Sequence, residues 1–417
     1  MRTAQILAIG TELTLGQSVD TNSAWLAREL AALGFRSHQH TVVGDDLPRI
    51  VAAIRRAADE ADVVLCTGGL GPTDDDLTRA ALAEAAGVDL TEDAESLRQI
   101  EAYFAARRRE MPPRNRVQAQ LPRGAAVLPN NCGTAPGMSI RIGRAAVFSM
   151  PGVPYEMKAM FAAHVAPALQ KLGGAGRVIR TRLVRTCGRP EAEVNDLLGD
   201  LMQRGRNPEV GTAAAMGEIT VRINAEADSP AAADALLEPV EADIRSRLGW
   251  AVFGGGDDTL ATAAGRLLSE RRQTVAVAES CTGGLVGALF TDTPGSSAYF
   301  QGGLLVYSNE LKMKLAGVPE KTLADHGAVS PQTAEALARG VRERCGVDYG
   351  LSVTGIAGPG GGTEEKPVGL VYLGLADSRG VISRELRLGQ HHPRDIIRAW
   401  SARAAINLLR LRLIGHL

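Results

Sequence analysis

Apolar positions in the first 170 residues follow two alternating rhythms. Runs at residues 5–9, 36–43, 63–67, 125–128 and 145–149 read as strands, most of them dense in Val, Ile, Leu and Ala. Between them, Leu26, Leu30 and Leu33 recur at helical spacing behind an Asp20-Thr21 cap and stop at Gly34, and a second helix starts near Pro48. Strand and helix in alternation predict a mostly parallel sheet wrapped by helices. The rhythm breaks at Leu172-Gly173-Gly174-Ala175-Gly176, which reads as a linker. Residues 178–186, 191–203, 218–225 and 231–248 then read strand, helix, strand, helix, a small α+β module that ends at Gly254-Gly255-Gly256.

A second α/β pattern begins at Asp257. It predicts a helix at 259–270, a strand at 274–278, a helix from about Thr282, strands at 304–307, 349–353, 368–375 and 381–386, and helices at 331–345 and 393–411. In the helix at 331–345, Ala334, Leu337, Ala338, Val341 and Cys345 share one face, which makes Cys345 a core residue. The expected architecture is therefore two α/β domains, 1–170 and 257–417, joined by a small α+β module at 171–256.

Composition narrows the function classes. Hydrophobic residues make up 45% and charged residues 22%, so each domain can bury a core, and 4% aromatic content means those cores are aliphatic. A net charge of -1 argues against an electrostatic grip on nucleic acid or an anionic membrane. The small module, with ten arginines against twelve acids, gives no better footing for nucleic acid. No apolar run approaches the ~20 residues of a bilayer span, and the apolar opening, broken by Glu12, reads as a first strand rather than a leader. Five scattered cysteines, Cys66, Cys132, Cys187, Cys281 and Cys345, fit free thiols in a reducing cytoplasm better than a disulfide framework or structural zinc.

Two glycine-rich loops leave strands in the same manner: Thr67-Gly68-Gly69-Leu70-Gly71-Pro72 and Thr354-Gly355-Ile356-Ala357-Gly358-Pro359. Ligands of open α/β sheets sit beyond the carboxyl ends of strands, where glycines let backbone N–H groups approach a phosphate. Neither loop matches an NTPase or dinucleotide fingerprint, and each is also readable as a simple turn. Asp74, Asp75 and Asp76 close the first loop; such carboxylates can hold Mg²⁺ or a similar cation against phosphate oxygens. Glu12 and Asp20, in loops after the first strand, can face the same crevice. The competing reading makes Asp76 the cap of a helix over 77–86.

Ala278-Glu279-Ser280-Cys281-Thr282-Gly283-Gly284 ends a strand and opens a helix, a placement that puts helix N–H groups beside Ser280 and Cys281, both candidate nucleophiles. Lys312, in Tyr307-Ser308-Asn309-Glu310-Leu311-Lys312, is a candidate base for the serine, since a desolvated lysine can accept its proton. The alternative leaves Ser280 as a cap, Cys281 as core and Lys312 as a solvated helix residue. His391-His392 lacks metal-ligand spacing, and Tyr299 and Phe300 read as core or interface.

These motifs together resemble one family. Ile9-Gly10-Thr11-Glu12-Leu13, Asp20-Thr21-Asn22, the loop from Thr67 to Thr78 and Pro151-Gly152-Val153-Pro154 are similar to the amino-terminal half of the competence/damage-inducible CinA family, itself similar to molybdopterin-binding domains of the MoaB/MogA type. The Ala278 to Gly284 motif, Val306 to Lys312, Gly327-Ala328-Val329-Ser330 and Thr354 to Gly369 resemble its nicotinamide-nucleotide amidase half, also found alone as the PncC family; the middle segment looks like the family's KH-like module. The resemblance implies a bifunctional, cytoplasmic, dimeric enzyme of pyridine-nucleotide salvage. One half would hydrolyse nicotinamide mononucleotide to nicotinic acid mononucleotide and ammonia without a cofactor. The other would cleave ADP-ribose to AMP and ribose 5-phosphate with a divalent metal.

Residue by residue, it implies Ser280 and Lys312 as the catalytic pair, with Tyr307 and Thr354 at the same site. Cys281, Thr282, Gly283, Gly355 and Gly358 would line the substrate, and Arg394 or Arg398 would meet the nucleotide phosphate. In the amino-terminal half, Asn22, Thr67, Gly68, Gly69 and Gly71 would hold the ligand, and Asp75, Asp76, Glu12 and Asp20 the metal. Two readings from other classes stand beside this one: a pterin-binding module that does not hydrolyse its ligand, and an accessory factor in DNA uptake or recombination.

Overall fold

Val63-Val64-Leu65-Cys66-Thr67 is buried at every position because both faces of its sheet are covered, as parallel strands require. In the computed structural model, which describes residues 2–173 and 178–417, this strand is β3 of a six-stranded sheet. The others are β1 (Arg2–Ile9), β2 (Phe35–Val43), β4 (Ala126–Leu128), β5 (Gly137–Ile142) and β6 (Ala145–Met150), in the order β2-β1-β3-β6-β5-β4. β2, β1, β3 and β6 are parallel, and β5 and β4 add antiparallel at one edge. Successive side chains serve opposite cores. Val64 and Cys66 join Ile50 and Ile54 of α2 (Leu47–Glu60) and Ala81 and Leu82 of α3 (Thr78–Ala86); Val63 and Leu65 join Leu26 and Leu30 of α1 (Thr21–Ala32).

Asp20 caps α1 through the Ser23 amide, and Pro48 sits in the first turn of α2, as expected. The hairpin strand β5 was not anticipated; its Ser and Arg interrupt the apolar run. The expected linker falls partly on 174–176, which lie outside the described residues.

The small module is a four-stranded sheet, β8-β9-β7-β10, built from β7 (Val178–Cys187), β8 (Glu209–Ala215), β9 (Glu218–Ala227) and β10 (Val252–Gly255), with a long helix at Pro230–Leu248. β8 and β10, rich in Ala and Gly, carry too little pattern to be read as strands. Gly254 and Gly255, expected to mark a boundary, pair with Arg185 and Val184 of β7. By contact density the chain divides into two compact units, Met1–Arg180 with Ala225–Leu236, and Thr181–Asn224 with Leu237–Leu417.

Within the second unit lies a five-stranded sheet, β12-β11-β13-β14-β15, formed by β11 (Val275–Glu279), β12 (Phe300–Leu305), β13 (Tyr349–Gly355), β14 (Leu370–Asp377) and β15 (Gly380–Arg387). β12, β11 and β13 are parallel; β14 and β15 run antiparallel. On one face Val275 and Val277 meet α4 (Leu260–Arg271) and α8 (Arg394–Leu413); on the other Ala276 and Ala278 meet α7 (Pro331–Cys345). Tyr299 is 3% exposed and edge-on to Phe290, so it belongs to the core, while Cys345 is only partly buried against it.

Helix α5 (Leu285–Thr291) starts three residues later than expected. Gly283 and Gly284 hold positive φ (60° and 98°), a left-handed turn incompatible with a right-handed helix.

Two candidate active sites

In the amino-terminal domain the carboxyl ends of β1, β3 and β6 open into a cavity of about 550 Å³. Its wall contains Glu12, Asp20, Asn22, Thr67, Gly68, Gly69, Gly71, Asp75 and Asp76, and of the acid triplet it leaves out Asp74. Asn22 is buried and donates through Nδ2 to Thr67 Oγ1 (3.1 Å) and Gly152 O (2.8 Å), which joins the three loops; its Oδ1 has no partner among the described residues.

The glycine loop is held by its own side chains. The Gly68 N–H donates to Met150 O and the Gly71 N–H to Asp76 Oδ1 (2.7 Å), so neither amide faces a ligand. Gly68 is glycine because its φ is 103° and a Cβ there would drive into the Ile9 carbonyl. Asp76 is not the cap of α3, whose N-cap is Leu77 without a side-chain bond. Both its oxygens are taken inside the loop, Oδ1 by Gly71 and Oδ2 by the Thr73 amide (2.8 Å) and hydroxyl (2.6 Å).

Arg79, which sequence reasoning passed over, is 3% exposed and clamps the loop from beneath, donating to Leu70 O (2.6 Å) and Gly71 O (2.7 Å). Burial pulls its guanidinium down to about 10, although Asp76 opposes the shift. A signal was available: an arginine in the first turn of a helix opposes the macrodipole unless it reaches back to carbonyls. Of the acids, Asp75 is exposed, and hydrogen bonding to Thr73 lowers its carboxyl pKa. Asp20 already accepts the Ser23 amide. Among the described residues no three His, Cys, Asp or Glu side chains gather as a metal cage. Asp75, Glu12 and Asp20 lie on the wall of the same cavity.

In the carboxyl-terminal domain, Ser280 follows β11 directly and its N–H is tied to Val353 O (3.0 Å) of β13. The Gly283 N–H turns back to Ser280 O (3.2 Å). Glu279, at the end of an otherwise apolar strand, is 1% exposed, and its carboxylate accepts the amides of Gly284 (2.9 Å), Val286 (3.1 Å) and Gly287 (2.9 Å). The N–H groups of Cys281 and Thr282, unlike that of Gly283, have no backbone or carboxylate acceptor among the described residues. Arg398 grips the same elbow by its carbonyls, Nε to Cys281 O (3.0 Å) and Nη2 to Thr282 O (2.7 Å).

Lys312, in α6 (Asn309–Ala316), is not a solvated helix residue. It is 1% exposed, and Nζ donates to Val306 O and Tyr307 O, both at 3.0 Å. Burial lowers its pKa below the ordinary lysine value, with the nearby Cys281 sulfur opposing. Burial pushes the Cys281 thiol up to about 12, which keeps it protonated at neutral pH. Among the described residues no hydrogen bond joins Ser280 to Lys312.

Arg394, exposed at the start of α8, donates to Gly358 O (2.6 Å) and to the Tyr307 hydroxyl (3.3 Å). The two arginines are thereby separated in role: Arg398 braces the elbow, and Arg394 lies on the rim. Thr354 is buried and spends its hydroxyl on Ala328 O (2.6 Å), while Ser330 caps α7; these bonds account for the Gly327 to Ser330 motif in structural terms. Gly355 packs against Leu370 and Val371, where a Cβ would collide. Among the described residues no helix is long and apolar enough to cross a membrane.

Comparison with known proteins accounts for nearly the whole chain. Family profiles match residues 5–171 as a probable molybdopterin binding domain, 181–254 as the damage-inducible protein CinA KH domain, and 257–413 as the CinA C-terminal domain. A CinA-like protein of Gloeobacter violaceus is 46% identical over 414 residues, 99% of this chain and 97% of the relative. One from Frankia casuarinae is 46% identical over 424 residues, 99% and 96% of the two chains. The crystal structure of the competence/damage inducible protein CihA from Agrobacterium tumefaciens aligns at 41% identity over 37% of this chain and 93% of that one, with a TM-score of 0.36. With that identity sustained from end to end, the chain belongs to the CinA family: a molybdopterin-binding-type domain, a KH module and a CinA C-terminal domain in one polypeptide.

Proposed function

We propose that the carboxyl-terminal domain is a serine amidase acting on nicotinamide mononucleotide. The observation that carries this reading is a buried, desolvated lysine beside a strand–helix elbow that presents a serine. A neutral lysine has two N–H donors and one lone pair. Val306 O and Tyr307 O occupy the donors, which leaves the lone pair to accept a proton.

Ser280 Oγ attacks the carboxamide carbon while Lys312 takes its proton and passes it to the departing ammonia. Water then opens the acyl-serine and releases nicotinic acid mononucleotide. The Cys281 and Thr282 amides stabilise the tetrahedral oxyanion, about 3–4 kcal/mol for one donor. Arg394 holds the phosphate on the rim, beside Tyr307. The test is ammonia release from nicotinamide mononucleotide by wild type, Ser280→Ala and Cys281→Ala. Wild type and Cys281→Ala should release it, with Ser280→Ala slower by about 10³-fold or more. Full activity in Ser280→Ala with none in Cys281→Ala would transfer the role to the thiol.

For the amino-terminal domain we propose binding of a phosphorylated ligand in the 550 Å³ cavity and, with a divalent cation, hydrolysis of ADP-ribose. Asp75 with Glu12 or Asp20 would hold the cation, which when bound neutralises diphosphate oxygens and polarises phosphorus. Asn22 and Thr67 orient the ligand, and the Asp76–Arg79 scaffold keeps the loop in shape. A second reading, binding of a pterin phosphate without hydrolysis, is favoured by the molybdopterin-binding profile over 5–171 and by the internal use of both Asp76 oxygens.

A further inference from the structure

A carboxylate sits directly before the candidate nucleophile, yet the amidase chemistry above gives it no task. Glu279 is almost wholly buried, and its two oxygens accept three backbone amides on the far side of the glycine turn. Burying a carboxylate is costly, and only this full set of charge-assisted bonds offsets it. A capping serine could satisfy one of those amides at far smaller cost, so the acid is doing more than ending a helix.

Its bonds run across the elbow, from the last residue of β11 to the first turn of α5, and span the two positive-φ glycines that no side chain stiffens. Arg398 holds the opposite edge through the Cys281 and Thr282 carbonyls. A peptide whose carbonyl is gripped on one side turns its N–H groups to the other. The Thr282 N–H, which shares a peptide with the Cys281 carbonyl, is thereby aimed away from Arg398, and the Cys281 N–H, which shares a peptide with the Ser280 carbonyl, is turned away from the Gly283 amide that this carbonyl accepts.

We propose, resting on the amidase reading, that Glu279 is a positioning residue: by binding the Gly284, Val286 and Gly287 amides it sets the elbow so that the Cys281 and Thr282 N–H groups serve as oxyanion donors. Its effect is exerted in the transition state, because the oxyanion exists only there, and substrate affinity depends on Arg394 instead.

Glu279→Gln tests this, since glutamine keeps the shape but has one acceptor oxygen; its NH₂ must face at least one of the three amides, donor against donor. In the full chain, kcat for nicotinamide mononucleotide should fall about 10- to 100-fold while KM stays within about twofold. Backbone hydrogen exchange at 284–287 should quicken. A folded Glu279→Gln protein with wild-type kcat, or with unchanged exchange, overturns the proposal; a rise in KM at constant kcat assigns Glu279 to substrate binding and overturns it as well. If Glu279→Gln does not fold, Glu279→Asp, which keeps the charge but falls a methylene short, must show the same kcat loss in weaker form. Should wild type release no ammonia, the amidase reading fails by itself, and the exchange comparison still decides whether Glu279 sets the elbow.

Discussion

At the residue scale, the decisive quantity is the protonation of Lys312. A lysine whose pKa is lowered by burial is neutral over more of the working pH range than an exposed one, and only the neutral amine accepts the Ser280 proton. Amidase kcat/KM should therefore rise with pH and level off above the Lys312 pKa, at a midpoint below the ordinary lysine value. A pH–rate series checks this. A midpoint at or above the value of free lysine would show the amine to be solvated in the working enzyme. Burial pushes the Cys281 thiol up to about 12, so a rise carried by that thiol is expected at higher pH than one carried by Lys312.

At the scale of elements, α8 links stability to the site. Its first turns carry Arg394 and Arg398, and its last turn is pinned to β14 by Arg412, which donates through Nε (2.8 Å) and Nη2 (2.9 Å) to Asp377. Arg412 and Arg379 together hold the Asp377 carboxyl down at about 2, against 3.8 unperturbed, and the side chain is 5% exposed. Because the folded pKa is the lower one, the unfolded chain binds more protons between the two values. The stabilisation is full above about pH 4 and is lost as pH falls through 2. Asp377→Asn should cost about 2 kcal/mol at pH 7 and very little near pH 2. Denaturant melts at the two pH values measure both; an equal loss at each would mean that packing, not charge, is what Asp377 supplies.

At the scale of the molecule, the two candidate sites lie in separate compact units with separate cores. Each should thus answer to its own residues. Ser280→Ala should abolish ammonia release and leave AMP formation from ADP-ribose unchanged. Asp75→Ala should leave ammonia release unchanged, slow AMP formation and raise the divalent cation concentration it requires. Loss of both activities from either substitution would reveal coupling between the units. ADP-ribose bound but left intact by wild type would establish the binding-only reading of the amino-terminal domain.

The sequence alone determined the layers, because buried parallel strands and amphipathic helices write their periods directly into hydrophobic order; β3, α1 and α7 lie where the pattern puts them, within a residue or two. It also marked the loops that carry chemistry, since glycine runs after strands and an acid or serine at their ends are local signals. Tertiary structure alone decided which polar groups are spoken for. Asp76 and the Gly68 and Gly71 amides turn inward, Arg398 braces the elbow while Arg394 stays on the rim, Lys312 is buried, and Arg79 and Glu279 hold the two loops in shape. Each of these depends on a partner distant in sequence or on burial by a neighbouring element, and neither periodicity nor spacing along the chain encodes which donor meets which acceptor.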